Sequence, residues 1–514
     1  MKFLKENYVA LFILTLGLVL VLPSLFLPWS LIDDGERLII SQQMTESLAK
    51  GDFYNFIYHP VDQISGRFRP IYWIFHWLVF LIDHKIVWLH HLVRVAIFSI
   101  AASAFYILVS RFISKTTGLF SLAFFLFFAP NLENWWRLGP QEPLILLFLL
   151  AGFWFLVKQK LLWSILFFGL ALLTKETTIF IFLPLLFLLP FVKSKDLKRA
   201  TISVGLMSAL LVSVLFLLKK STGYTVAYQF SLDQVQESIR AYSSLFSSLG
   251  LRFLLLLTLG TFLFSLAKDL KRKRVSTHLL FSSWGILWFI SAFTIQLPWQ
   301  HPLGRYLLPA ILGLAIFIGI QSEKILNYSL KILAGKQKII GLGTILLFGL
   351  AWAVFIFYNL LSIFQFSDDY WAREQANREA VYQIASLTPS GGNVYLNLSD
   401  ELNAREWFVE IPIHLRLFYK RDDIQVDYFD PEGELSKGDI VVSWSEFQRY
   451  SPEQMNGFLE KKAKKNLRIE RIARRFVTSP RELFRYVISG RFLIEGINPF
   501  IFTKLYYWDI YTVI

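Results

Sequence analysis

The sequence predicts a polytopic α-helical membrane protein with about eleven transmembrane helices, interfacial helices in the first outer loop, and a small C-terminal α/β extracytoplasmic domain. The membrane region is predicted because 55% of the 514 residues are apolar, the mean hydropathy is +0.48, and short basic loops separate long uncharged runs. The extracytoplasmic domain is predicted because the composition becomes that of a globular protein from about residue 368. We therefore expect a transmembrane catalytic region at 1–361, with its first outer loop at 33–91, and a soluble region at 368–514.

The charge and cysteine content exclude several classes of protein. The net charge is +14, but most of the excess lies in loops between apolar runs, as expected for cytoplasmic loops of a membrane protein. We find no recognised nucleic-acid module, so no nucleic-acid partner is predicted. The chain has no cysteine, which excludes disulfides, thiolate metal sites and cysteine nucleophiles.

The first apolar run, residues 7–32, is long enough to cross a bilayer and too long for the core of a signal peptide. Lys2 and Lys5 precede it, which favours a cytoplasmic N-terminus. We therefore expect a retained signal-anchor helix in the plasma membrane, with Asp33 and Asp34 emerging on the outer side.

The later spans follow as uncharged segments between basic loops. They are predicted at 92–110, 116–132, 143–157, 161–174, 177–192, 200–218, 253–267, 279–296, 306–322 and 339–361. Alternation from a cytoplasmic N-terminus places most basic loops inside and residues 368–514 outside. If 161–192 formed a single kinked span, every later orientation would invert.

The first outer loop contains two interfacial segments, at 35–48 and from Pro70 onward, where proline suits the first turn of a helix. In the soluble region, the pattern predicts a helix at 372–386 and strands at 393–398 and 439–444. Residues 461–475 are predicted to form a basic helix, lying either on anionic headgroups or in solvent.

Acids and arginines are concentrated on one predicted face of the membrane. Asp33-Asp34 follows the first span, and Gly66-Arg67-Phe68-Arg69-Pro70 precedes the second interfacial segment. Three further segments contain charges near predicted span ends: ENWWRLGPQE (133–142), LLTKETT (172–178) and HPLGRYLLPA (301–310). A carboxylate at a span mouth can act as a base or hold a metal, and arginines can hold an anionic leaving group.

The order and sidedness of these segments resemble the GT-C superfamily of polytopic glycosyltransferases, whose bacterial members include protein O-mannosyltransferase-like and aminoarabinose transferase-like enzymes. The resemblance implies a sugar donor on a polyprenyl-phosphate carrier, an extracytoplasmic acceptor (lipid, polysaccharide or protein), and inversion at the anomeric carbon. It also implies a catalytic acid in the first outer loop, at the positions of Asp33 and Asp34.

Each of these residues also has a structural interpretation. Asp33 with Glu36 matches a helix-capping box, and Glu36 could share the role of the base. Arg67, Arg69 and Arg305 suit phosphate oxygens. The first two could instead extend toward lipid headgroups, and Arg305 could instead be a carboxylate partner.

Three further charged residues have supporting roles in this hypothesis. Lys175-Glu176 interrupts an apolar stretch, where an unpaired charge is costly, so the pair either faces the same groove or forms a local salt bridge. Glu142 either orients the base or holds a cation, or it begins a span after Pro140.

We predict no metal and no cofactor, although Asp33, Asp34 and Glu142 would suit magnesium or manganese. The histidines are too scattered for a zinc motif, and no glycine loop suited to a nucleotide sugar is present. Two other functions stay open. One is a transporter or flippase of lipid-linked sugars, which would place its essential charges near mid-membrane. The other is a non-catalytic scaffold in glycan assembly.

Overall fold

The computed structural model of the chain describes residues 2–32, 34–57, 68–83, 85–192, 194–222, 231–246, 248–273, 275–299, 302–399, 402–446, 448–463, 467–477 and 503–513. The described chain is mostly helical and carries a small sheet near the C-terminus. Asp33 and Arg67 lie outside the described residues.

The helices of the first half follow the apolar runs and the first outer loop. Their bounds are α1 Lys2–Val21, α2 Asp34–Ala49, α3 Pro70–Ile82, α4 Val87–Phe112, α5 Lys115–Phe127, α6 Glu133–Trp136, α7 Glu142–Val157, α8 Leu161–Thr174, α9 Phe182–Leu188 and α10 Lys195–Thr222. Short 3-10 turns precede or follow several of them, at Leu22–Phe26, Ala129–Asn131 and Glu176–Ile181. The interfacial helices of the first loop therefore correspond to α2 and α3.

The second half has five more helices in the membrane region and the adjoining loops, followed by a mixed α/β segment. The bounds are α11 Leu232–Leu245, α12 Leu249–Lys271, α13 Thr277–Thr294, α14 Leu308–Leu333, α15 Lys338–Leu387, α16 Leu402–Tyr419 and α17 Pro452–Ala463, with a 3-10 turn at Gly304–Leu307 before α14. Serine caps the N-termini of α5, α11, α12 and α13, each side-chain oxygen accepting a backbone N–H three residues later.

Among the described residues, six helices are long and apolar enough to cross a bilayer: Asn7–Phe26, Val87–Phe112, Lys195–Phe216, Gly250–Lys271, Gly304–Leu333 and Lys338–Leu387. The pair Lys115–Phe127 and Ala129–Trp136, bent by 66°, would make a seventh. The other predicted spans coincide with the shorter apolar helices α7, α8 and α9 and with α13. The polytopic helical class is therefore confirmed, whereas the number of crossings stays a prediction.

The chain divides into two compact units. The first contains residues 1–24, 44–78 and 91–363, and the second contains 25–43, 79–90 and 364–514. The second unit thus includes the start of the first outer loop as well as the C-terminal segment. The boundaries at 361 and 368 stay predictions for the catalytic and soluble regions.

Helices of the first unit approach each other closely at glycines. A Cβ on Gly313 would lie 2.4 Å from the Gly285 carbonyl oxygen and 2.7 Å from the Phe289 nitrogen, so α13 and α14 are in backbone contact there. The α7–α8 turn passes through Gln159, whose φ of 55° is in the left-handed region. Close backbone contacts at small residues stabilise helix pairs in a bilayer, because the hydrophobic effect does not drive helices together in lipid.

The second unit is built around a five-stranded sheet in the order β2-β1-β3-β5-β4. The strands are β1 Asn393–Asn397, β2 Gln425–Tyr428, β3 Ile440–Trp444, β4 Leu467–Val477 and β5 Thr503–Val513. Strand β1 pairs in parallel with β2 and β3, whereas β5 pairs antiparallel with β3 and β4. The predicted strands at 393–398 and 439–444 correspond to β1 and β3.

The core of the second unit is rich in aromatic side chains. Trp444 lies 4.3 Å from the ring of Trp407 on α16 and 5.5 Å from the ring of Trp508 on β5. Leu31 and Ile32, which precede α2, belong to the same buried cluster. This core anchors the start of the first outer loop to the sheet and to α16.

The prediction of a basic helix at 461–475 is wrong for most of its length. Helix α17 ends at Ala463, and residues 467–477 form β4. The antiparallel pairing runs from Leu467 opposite Val513 to Val477 opposite Thr503. Leu467, Ile469 and the bulky residues further on also fit a strand, and the long-range pairing with β5 decides in favour of the sheet.

Candidate functional site

Residues 133–142 of the first unit comprise α6, the connection that follows it and the first residue of α7, and neighbouring elements hold this segment, called loop 133–142 below, through its backbone. The guanidinium of Arg94 on α4 donates to the carbonyls of Leu138 and Pro140, the latter over 3.0 Å. The hydroxyl of Tyr72 on α3 donates to the Gly139 carbonyl over 2.8 Å. Arg94 is itself buried, so its charge is compensated by carbonyl dipoles within the protein.

Arg69 joins this loop to the segment that contains Lys175 and Glu176. Its Nε and Nη2 donate to the two carboxylate oxygens of Glu176 over 2.9 and 2.7 Å, which is a bidentate pair. Its Nη1 donates to the Gln141 side-chain oxygen over 3.0 Å. Arg69 directly precedes the N-terminal proline of α3, so the helix start fixes where this side chain begins.

Glu142 and Lys175 form a second ion pair beside the first. Both side chains are almost completely buried, and the Lys175 ammonium contacts Glu142 Oε1. The same ammonium lies 4.2 Å from the centre of the Tyr306 ring, a cation–π contact. Lys175 and Glu176 therefore each pair with a distant partner, rather than with each other.

Glu133 accepts from two arginines at the other end of the loop. Arg137 Nη1 lies 2.9 Å and Arg305 Nη1 lies 3.1 Å from Glu133 Oε1. Arg305 also lies 5.3 Å from the Tyr306 ring centre. Arg305 is thus an ion-pair partner of Glu133, and its binding of a phosphate stays a prediction.

Tyr242 on α11 is a residue of this region that no sequence pattern indicates. Its side chain is fully buried, and its hydroxyl has no hydrogen-bond partner among the described residues. Burial, with smaller contributions from Tyr306 and Glu142, raises the pKa of Tyr242 well above its usual value, so its hydroxyl stays protonated. Glu142 Oε2 is likewise buried without a partner in the described part of the chain. This corner of the first unit thus offers a protonated donor and a carboxylate acceptor.

Asp34 lies in the second unit, at the first residue of α2. It is 2% exposed, it accepts the Ser30 backbone N–H over 2.9 Å, and it forms an ion pair with Arg37 one turn later. An acid in the first turn of a helix is stabilised by the dipole of that helix. The structure thus presents Asp34 as a buried carboxylate with local charge compensation.

Glu410 on α16 covers the same helix start. Its carboxylate accepts the backbone N–H of Gly35 over 2.7 Å and that of Glu36 over 3.0 Å. A Cβ at position 35 would lie 2.4 Å from Glu410 Oε2 and 2.6 Å from Ile413 Cγ2, so only glycine allows this approach. Glu410 therefore fixes the backbone that directly follows Asp34.

His414, one turn after Glu410, completes this group. Its Nε2 lies 3.4 Å from Glu410 Oε2. Burial lowers the pKa of His414 to about 4, against the opposing attraction of Asp34 and Glu374. The imidazole is therefore neutral near pH 7, and the carboxylate of Glu410 accepts from the first N–H groups of α2.

The predicted site residues fall into the two units. The first unit brings together Arg69, Glu142, Lys175, Glu176 and Arg305, and the second contains Asp34 and Glu36. Asp33, Arg67 and the predicted capping contact of Asp33 lie outside the described residues. Among the described residues, no three acidic or histidine side chains form a metal-binding group, and metal dependence stays untested.

Comparison with family models and with curated proteins finds no match. Three similar solved structures are described here. ArnT from Cupriavidus metallidurans in the apo state is 14% identical, over 89% of this chain and 95% of ArnT, with a TM-score of 0.51. ArnT bound to undecaprenyl phosphate is 13% identical over 88% and 95%, with a TM-score of 0.46. Archaeal oligosaccharyltransferase AglB from Archaeoglobus fulgidus, in complex with an inhibitory peptide and a dolichol-phosphate, is 11% identical over 75% and 59%, with a TM-score of 0.46. The likeness to apo ArnT shows that the chain shares the fold of ArnT over most of its length.

Proposed function

We propose that the protein is a membrane glycosyltransferase of the GT-C type, which transfers a hexose or pentose from a polyprenyl-phosphate carrier to an extracytoplasmic lipid, polysaccharide or protein. The observation that carries this proposal is the fold shared with ArnT over 89% of the chain. The carrier is supported by ArnT itself, which has been crystallised with undecaprenyl phosphate. The C-terminal α/β segment would take part in recognising the acceptor.

In the proposed reaction, Asp33 or Asp34 is the general base. The carboxylate takes the proton of an acceptor hydroxyl while that oxygen attacks the anomeric carbon. The bond between this carbon and the phosphate oxygen breaks, polyprenyl phosphate leaves with the electron pair, and the configuration inverts. Asp34 is buried and forms an ion pair with Arg37.

Arg67, Arg69 and Arg305 would bind the phosphate. A phosphate that loses the sugar gains negative charge, and guanidinium groups stabilise that growth. Arg69 donates through Nη1 to Gln141, a neutral acceptor that a phosphate oxygen could replace without separating the pair with Glu176. Lys175 and Glu142 would support these groups. Glu36 is the alternative candidate for the general base.

The test measures sugar transfer from radiolabelled undecaprenyl-phosphate sugars by purified protein in lipid. Wild type is compared with Asp33→Asn and Asp34→Asn, and Asp52→Asn is the matched control, because Asp52 is an acid of the same loop that caps its own turn. We expect at least one of the first two variants to lose on the order of 100-fold or more in turnover and the control to keep it.

Two results would contradict this assignment. Full turnover in both Asp33→Asn and Asp34→Asn, with the proteins folded, would remove these aspartates from the mechanism and favour Glu36 or Glu142. Movement of an intact lipid-linked sugar across the vesicle membrane, without cleavage, would instead support the alternative function of a transporter or flippase.

A further inference from the structure

The first unit contains an apolar cavity with a volume of about 390 Å³. Side chains of α4, α7, α13 and α14 form most of its walls, among them Phe105, Phe153, Trp288 and Leu312. Of the lining residues in the described part of the chain, only Gln159 and Ser194 are polar. The volume is within the range of small-ligand sites, roughly 300–1,000 Å³. None of the charged residues around loop 133–142 lines this cavity.

The cavity reaches the protein surface where three helices meet loops. Phe112 and Val192 line it and are 40% and 39% exposed. Gln159, which turns the chain from α7 to α8, and Ser194, which precedes α10, also line the cavity, and like Phe112 and Val192 they lie at helix ends or in the turns beside them. This mouth therefore joins an apolar interior to a polar rim.

The rim carries an excess of positive charge. The Arg111 guanidinium and the Lys158 ammonium both lie over the Trp154 ring, at 5.9 and 5.1 Å from its centre. Trp154 thus positions two cations beside the mouth residues that follow them in sequence. Lys160 follows Gln159 and is exposed, Lys195 follows Ser194 as the exposed first residue of α10, and Asp196 supplies the opposing negative charge.

We propose that this cavity binds one acyl chain of an anionic phospholipid, with the lipid phosphate at the basic rim formed by Arg111, Lys158, Lys160 and Lys195. The apolar walls suit a hydrocarbon chain, and the cations suit a negative headgroup better than a zwitterionic one. On the predicted orientation this end faces the cytoplasmic leaflet, where membranes display anionic lipid. The inference goes beyond the proposed glycosyl transfer and does not depend on it.

The test is native mass spectrometry of the full chain released from detergent, after incubation with phosphatidylglycerol or phosphatidylcholine of identical acyl chains. We expect wild type to retain one molecule of phosphatidylglycerol. The lipid concentration needed for this retention should be about tenfold lower for phosphatidylglycerol than for phosphatidylcholine. Equal retention of the two lipids by wild type would overturn the proposal.

Two sets of variants separate the acyl chain from the headgroup. Leu156→Trp and Val157→Phe fill the cavity and should weaken retention of both lipids about tenfold; Leu166→Trp, at an exposed position of α8 outside the cavity, should not. Lys158→Gln combined with Lys160→Gln should remove the preference for phosphatidylglycerol alone. Lys336→Gln combined with Lys338→Gln, in another exposed basic loop, is the matched control.

Two further results would also overturn the proposal. One is unchanged retention in both cavity-filling variants. The other is displacement of bound phosphatidylglycerol by an equimolar amount of undecaprenyl phosphate, which would assign the cavity to the sugar carrier. Absence of such displacement, together with sensitivity to both sets of variants, would support it.

Discussion

Glu142 and Asp34 begin helices in different units and solve the same electrostatic problem in different ways. Each is the first residue of its helix, and the two residues are 1% and 2% exposed. Glu142 is compensated by Lys175, which is distant in sequence and equally buried. Asp34 is compensated by Arg37 one turn away.

The difference concerns what each helix start needs from the rest of the protein. At Glu142, the acid itself depends on a distant cation. At Asp34, the acid is satisfied locally, but the backbone N–H groups that follow it depend on the carboxylate of Glu410, which is 375 residues later. The first arrangement is therefore sensitive to loss of a side-chain charge, and the second to the shape of the backbone at Gly35.

Removing one partner of the Glu142–Lys175 pair should have the largest effect. Lys175→Met leaves a buried carboxylate without its cation, which costs about 3–5 kcal/mol in comparable buried pairs. The double variant Glu142→Gln, Lys175→Met should recover most of this loss, because neither charge remains. Thermal unfolding in detergent micelles measures both.

The control for that experiment is the exposed pair Arg474–Glu379 of the second unit, whose side chains are 49% and 41% exposed. Glu379→Gln should change stability by at most about 1 kcal/mol. If Lys175→Met and the double variant unfold at the same temperature, the pair is not the source of the stability.

Gly35→Ala should have the next largest effect. The added Cβ would lie 2.4 Å from Glu410 Oε2 and 2.6 Å from Ile413 Cγ2. The carboxylate of Glu410 must therefore move away from the start of α2. Overpacking of this kind costs about 1–3 kcal/mol. Limited proteolysis of the second unit and its thermal unfolding should both report the loss.

Gly457→Ala is the matched control, because Gly457 is also in a helix of the second unit and has nothing within 4 Å of an added Cβ. There alanine should leave stability unchanged or raise it by up to about 1 kcal/mol. Equal stability of the Gly35 and Gly457 variants would mean that Glu410 moves aside without loss of stability. The hydrogen bonds of its carboxylate would then not be what holds the start of α2.

The same contrast explains what could be predicted from the sequence. The apolar runs locate the long apolar helices because a helix that crosses a bilayer needs about 20 consecutive apolar residues, and Pro70 marks the start of α3. The charged segments that resemble the GT-C superfamily do converge in the first unit, with Arg69, Glu142, Lys175, Glu176 and Arg305 in one set of contacts. A local pattern was sufficient for these features.

Contacts between residues that are far apart in the sequence could not be predicted. Glu410 and His414 lie on a helix with no motif, and their role follows only from the fold that places α16 beside α2. The sequence pattern predicts a helix at β4, because charged residues interrupt the alternation of apolar and polar residues that is typical of a strand. The pairing partner β5 begins only at Thr503, so no local pattern indicates it. Tyr242 carries no signal in one sequence, since a lone tyrosine in an amphipathic helix is ordinary.

The pH dependence of stability should give the smallest effect, and it is specific to the second unit. His414 has a pKa of about 4 in the folded protein, below the usual value of about 6.5 in an unfolded chain. The unfolded state therefore binds more protons between these values, and stability is lost as the pH falls through this window. Between about pH 7.5 and pH 5.5 the loss should be about 1 kcal/mol. His414→Gln should abolish this part of the slope, while His278→Gln, at an exposed position of the first unit, should keep it. A slope that persists in His414→Gln would assign the titration to other groups, and would mean that burial of this imidazole is not what sets the charge balance around Glu410.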